Sequence, residues 1–95
     1  RGNHMLIVTN YRFKSHMTKD EARELLDVFA EVGNAPGTIA HYVATDGRHG
    51  MVIAEIDDPA EGYRNLLNYG PWLEFNTQVV LPVEEAVPHV MDWAG

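Results

Sequence analysis

Residues 38–56, TIAHYVATDGRHGMVIAEI, decide the fold. Thr38 to Ala44 and Met51 to Ile56 are short, β-branched runs of the kind that form strands. Between them Thr45-Asp46-Gly47-Arg48-His49-Gly50 is polar, glycine-bearing and of hairpin length. The stretch therefore reads as two antiparallel strands. In the second, Val52, Ala54 and Ile56 alternate with Met51, Ile53 and Glu55, so the first set suits a buried helix-covered face.

Upstream, Met5 to Phe13 (MLIVTNYRF) is rich in β-branched and aromatic residues and reads as a first strand. Thr18-Lys19-Asp20-Glu21 is a capping box. The residues after it, Ala22, Leu25, Leu26, Phe29 and Val32, form one apolar stripe on a helix of about four turns. Gly33-Asn34 supplies its left-handed stop and Pro36 prevents continuation. Downstream, Asp58 caps a second helix with Pro59 at its first position and Tyr63, Leu66 and Leu67 as its stripe; Gly70-Pro71 ends it. A fourth strand is expected over 78–82, beginning near Glu74, followed by a short acidic helix or turn over 83–87. Pro88 is expected to interrupt the pattern, leaving 88–95 as a C-terminal tail whose Trp93 should dock somewhere.

The order βαββαβ packs most economically as a ferredoxin-like α+β fold, a four-stranded antiparallel sheet with both helices on one face. The first and third strands are apolar on both faces for much of their length. A monomer would then expose a large apolar patch, and the cheapest cover is a second copy across a two-fold axis.

Composition bounds the function. Ninety-five residues, 45% hydrophobic and 22% charged, make one ordinary globular domain. The net charge of −7 argues against a duplex-binding surface, and no apolar run reaches the roughly 20 residues of a membrane helix. With no cysteine there is no disulfide, thiol nucleophile or Cys-ligated zinc, which suits a cytoplasmic location. Residues 1–4, Arg-Gly-Asn-His, read as an expression-vector remnant ahead of Met5. The domain is expected to span 5–87.

The ordered series Pro36-Gly37-Thr38, Ala40-His41-Tyr42, Asp46-Gly47, Ile53-Ala54-Glu55, Glu74-Phe75 and Pro82-Val83-Glu84-Glu85-Ala86 resembles a family of small domains of unknown function. That family lies within the dimeric α/β-barrel superfamily and occurs in prokaryotes and their phages. The resemblance covers about residues 5–87. It implies a homodimer whose two sheets face each other as a barrel, and it implies no catalytic residue.

Two groups of side chains carry chemistry. His41, Tyr42 and Glu55 lie on neighbouring strands, where a His–Glu pair would make a general base; only one of His41 and Tyr42 can share the face of Glu55. Asn10, Arg12, Asn76 and Gln78, with Tyr42, Trp72 and Glu74, would give the sheet's open face a polar end able to orient a carboxylate or carbonyl compound. Trp72 also reads as part of a packed helix–strand corner with Tyr69. No metal-ligand spacing, glycine-rich phosphate loop or nucleophile elbow is present, so neither a metal nor another cofactor is expected. The leading expectation is non-catalytic binding of a compact ligand or a protein partner. The alternative is a cofactor-independent isomerase or monooxygenase-like enzyme acting on a small organic molecule, with His41 or Glu55 as base inside a closed cavity.

Overall fold

The computed structural model describes residues 5–95, so the reading of residues 1–4 as a vector remnant lies outside the described residues. The elements are β1 (Met5–Phe13), α1 (Lys19–Val32), β2 (Thr38–Val43), β3 (His49–Ile56), α2 (Pro59–Leu67), β4 (Leu73–Val80) and α3 (Val83–Ala94). The strands form one antiparallel sheet in the order β2-β3-β1-β4. This is the ferredoxin-like α+β fold. The two longest apolar strands pair at its centre, where each ladder edge is satisfied.

Local chemistry sets the element ends. Thr18 Oγ1 accepts from the Glu21 amide and the Glu21 carboxylate accepts from the Thr18 amide, closing the capping box on α1. Gly33, at φ 76°, ends α1 by donating its amide to the Phe29 carbonyl. Asp58 caps α2 through the Ala60 amide, with Pro59 at the first helical position. Gly37, at φ 82°, is obligatory for a second reason. A Cβ there would stand 1.9 Å from the Glu55 carbonyl oxygen, to whose residue Gly37 is joined by the hydrogen bond from the Glu55 amide.

Register fixes the faces. Thr9, Val52, His41 and Thr77 share one row across the sheet, as do Tyr11, Gly50, Val43 and Phe75. With Ile7, Ala54 and Ile56 they form the face over which α1 and α2 lie. The other face carries Leu6, Val8, Ala40, Met51, Ile53 and Val80, all half-buried, and the exposed polar end Asn10, Arg12, Glu74, Asn76 and Gln78. A bulge between Thr38 and Ala40 absorbs Ile39.

Two expectations change. The fourth strand begins at Leu73 and stops at Val80, because Pro82 cannot donate to a ladder and instead precedes α3. More importantly, 83–94 is one continuous helix that carries Pro88 inside it, not a short turn followed by a tail. Proline here removes only one helical hydrogen bond, and the stripe Val83, Val87, Val90, Ala94 keeps its period across it. Trp93 does not dock on its own chain; it is 86% exposed.

The core is small. Among the described residues the buried apolar side chains are Leu25, Ala54 and Tyr69. The Tyr69 hydroxyl donates to the Gly33 carbonyl at 3.0 Å and its ring meets Phe29, tying the α2–β4 corner to the end of α1. Every residue of α3 except Ala86 is exposed. The chain is drawn out to 55 × 28 × 17 Å, with a radius of gyration of 16.0 Å, against about 12 Å for a compact domain of this length.

Candidate functional site

Between the sheet and the two helices lies a partly open cavity of about 440 Å³, within the range of small-molecule sites. Its walls are apolar, drawn from Ile7, Phe13, Leu25, Val52, Leu66 and Phe75 among others, and among the described residues no Asp, Glu, Lys or Arg lines it. Besides Tyr63 and Asn65 of α2 and Tyr69 beyond it, polar atoms enter at two places. Thr9 Oγ1 and Thr77 Oγ1, opposite each other on β1 and β4, share a 2.9 Å hydrogen bond.

The second place is a chain of three side chains. The Tyr11 hydroxyl lies 2.8 Å from His41 Nε2, and His41 Nδ1 lies 2.9 Å from Asn34 Oδ1. A carbonyl oxygen only accepts, so Nδ1 carries the proton and Nε2 accepts from the tyrosine. Burial pushes the His41 imidazolium below its ordinary range and the Tyr11 phenol above its own, so both groups favour the neutral form. Each member has a structural reason to be there. Tyr11 and His41 point to the helix face by strand alternation, and Asn34 follows Gly33, the residue that Tyr69 holds.

This arrangement separates residues that the sequence reading grouped. His41 shares a row with Val52, whereas Tyr42 and Glu55 lie on the opposite face, so no His41–Glu55 pair forms. Glu55 stands outside the cavity and is exposed. Asn10, Arg12, Asn76 and Gln78 do share one face, but it is the face away from the cavity, and Arg12 is held by Glu74 at 2.9 Å. Tyr42 is on that face too. Trp72 lines neither face; its backbone bonds Lys14 and Tyr69 at the α2–β4 corner. The residues that meet in the cavity and were not anticipated there are Tyr11, Asn34, Thr9 and Thr77. Their signal was parity: Tyr11 and Thr9 alternate with the residues already assigned to the open face. Among the described residues no cluster of three or more His, Asp or Glu is placed to hold a metal.

Fold and cavity together define the class: a ferredoxin-like α+β domain with an apolar cavity between its sheet and helices. Residues 5–93 match the model of the family described as Domain of unknown function (DUF3303), and the chain belongs to that family. The match includes α3.

Solved structures are similar to this chain. An uncharacterized NIPSNAP-like domain protein from Burkholderia xenovorans superposes with a TM-score of 0.52 at 14% identity, covering 86% of this chain and 87% of that one. A cofactor-independent oxygenase, SnoaB from Streptomyces nogalater, gives 0.48 at 13%, covering 84% and 93%. Hydroxynitrile lyase from Passiflora edulis gives 0.47 at 9%, covering 81% and 94%. No curated relative matches this chain. No helix is long and apolar enough to cross a membrane among the described residues.

Proposed function

We propose that this domain is one half of a homodimeric α/β barrel and that each protomer binds a compact, mainly apolar, uncharged molecule in the cavity between its sheet and helices. The observation that carries the reading is the cavity itself: about 440 Å³, apolar-walled, without a full charge among the described residues, and with a few convergent polar groups at one end. Such a site gains affinity from apolar contact and orientation from a small number of hydrogen bonds. An anion would find no cation there among the described residues.

Surface area supports the second copy. The chain exposes 7133 Å², against about 5,500 Å² for a compact monomer of 10.7 kDa. The excess, about 1,600 Å² per protomer, is about twice what one partner covers in a standard interface and falls in the range of obligate homodimers. The face bearing Leu6, Val8, Met51 and Ile53 and the exposed stripe of α3 are the surfaces a second copy would cover.

A thermal-shift comparison of matched compounds tests the cavity reading. Uncharged 2-naphthol should raise the melting temperature by several degrees when it is present well above its dissociation constant, and 2-naphthoate should not. A shift by the anion alone, or by neither, contradicts it. A second reading, a cofactor-independent enzyme, is favoured by the Tyr11–His41–Asn34 chain inside the cavity.

A further inference from the structure

We propose that Tyr11, His41 and Asn34 form a proton relay that makes the cavity a catalytic site for prototropic exchange and isomerisation of compact, uncharged carbonyl compounds. The proposal rests on the reading of the cavity as a ligand site and names the chemistry done there. Three observations carry it.

The relay has a direction. Asn34 Oδ1 fixes the His41 proton on Nδ1, which leaves Nε2 as a base facing the Tyr11 hydroxyl. Tyr11 lines the cavity, and its oxygen, while donating to Nε2, still has acceptor capacity to take up a proton as it passes its own on. Tyr11 is thus the group that touches the ligand, His41 is the base behind it, and Asn34 is a positioning residue.

The alignment is built into the backbone. Gly50 faces Tyr11 across the β1–β3 ladder, and a Cβ there would stand 2.2 Å from the Tyr11 hydroxyl oxygen and 2.1 Å from the ring carbon bearing it. The phenol reaches His41, on the strand beyond, by lying over a position that only glycine leaves open.

The cavity also holds an anion-stabilising donor. Thr9 and Thr77 share one hydrogen bond, so one of the two hydroxyl protons remains to be donated. Thr9 lies two residues from Tyr11 on the same face.

These parts compose one balanced step. The C–H bond next to a ligand carbonyl breaks and its proton goes to the Tyr11 oxygen. The bonding pair stays with the ligand as an enolate, whose oxygen takes the free threonine hydroxyl as donor. The tyrosine proton moves to His41 Nε2, forming an imidazolium whose Nδ1–H still rests on Asn34. Once the Tyr11 hydroxyl has swapped its proton with solvent, the reverse transfer delivers a solvent-derived proton to the same carbon, giving exchange; delivery of a proton to another atom of the conjugated system gives an isomer. No oxidant or reductant is consumed. Because no cation or anion among the described residues lines the cavity, the substrate class is the neutral ketone or 1,3-dicarbonyl rather than the keto acid.

The test is deuterium uptake from D2O into 2-tetralone, followed by NMR together with the protein methyl resonances, which report binding independently. Wild-type protein should accelerate exchange by about 10²-fold or more over buffer. Tyr11→Phe, which keeps the ring over Gly50, and His41→Gln should lose about tenfold or more of that acceleration while the cavity methyls still shift. Arg12→Ala, on the opposite face, should keep the wild-type rate. The wild-type rate should rise with pH through the His41 titration and then level, whereas the His41→Gln profile should lack that inflection. Methyl shifts without accelerated exchange would overturn the relay and leave the binding site standing. Exchange that survives both substitutions would overturn the relay too. Absence of methyl shifts at saturating 2-tetralone would overturn the cavity reading and the relay together.

Discussion

The ring of Tyr11 lies across Gly50, its partner in the β1–β3 ladder, so closely that any side chain at position 50 would occupy the space of the phenol. One contact therefore sets both the packing of the helix face and the position of a hydroxyl 2.8 Å from His41.

Gly50→Ala should cost about 1–3 kcal/mol of stability, the range for overpacking a filled site. It should also move the Tyr11 hydroxyl off His41. Chemical denaturation gives the first quantity, and the His41 ring resonances report the second. An alanine variant of wild-type stability with an unchanged His41 would contradict the contact.

Stability should fall in mild acid because of His41. Its ordinary pKa is 6.5 and burial holds the folded value lower. The unfolded chain therefore binds the proton first as pH drops, and proton uptake favours unfolding. The stability that depends on neutral His41 is complete above about pH 6.5 and is lost as pH falls through the folded value. Thermal melts of wild type and His41→Gln between pH 5 and 8 should show this acid-side drop shrinking in the variant. Parallel curves would contradict it.

The uncovered sheet face should hold two copies together. Light scattering should report twice the 10.7 kDa protomer mass at micromolar concentration. Ile53→Asp, at the half-buried centre of that face, should give the single-protomer mass with its secondary structure retained. A wild-type protein that stays a single protomer contradicts the barrel.

Helix α1 should depend on its cap. Thr18→Ala removes the acceptor for the Glu21 amide and should cost about 1 kcal/mol, lowering the melting temperature by about 4–8 °C for a domain of this size. A shift under one degree would mean that the cap is dispensable.

The element order, the caps of α1 and α2 and the two-faced hairpin were legible because each rests on local chemistry: Thr18 with Glu21, Asp58 with Pro59, and alternation in 51–56. The site was legible only in part. His41 was visible as a strand histidine, but its partner depends on which face it takes, and that is set by pairing across the hairpin with Val52. Strand alternation then places Glu55 on the far side and brings in Tyr11 from a strand about 30 residues earlier. Asn34 was read as a helix stop, which it follows directly; its second role depends on the fold around Gly33 and Tyr69. Pro88 misled because a single missing amide does not end a helix whose apolar period continues.

The most direct measurement is a methyl-resolved NMR titration of the protein with uncharged 2-naphthol. Saturable shifts at Ile7, Leu25, Val52, Ile56 and Leu66, with Leu6, Val8, Ile53 and Val80 unmoved, are the predicted result. Shifts confined to the second group would place the ligand on the opposite face of the sheet and contradict the account.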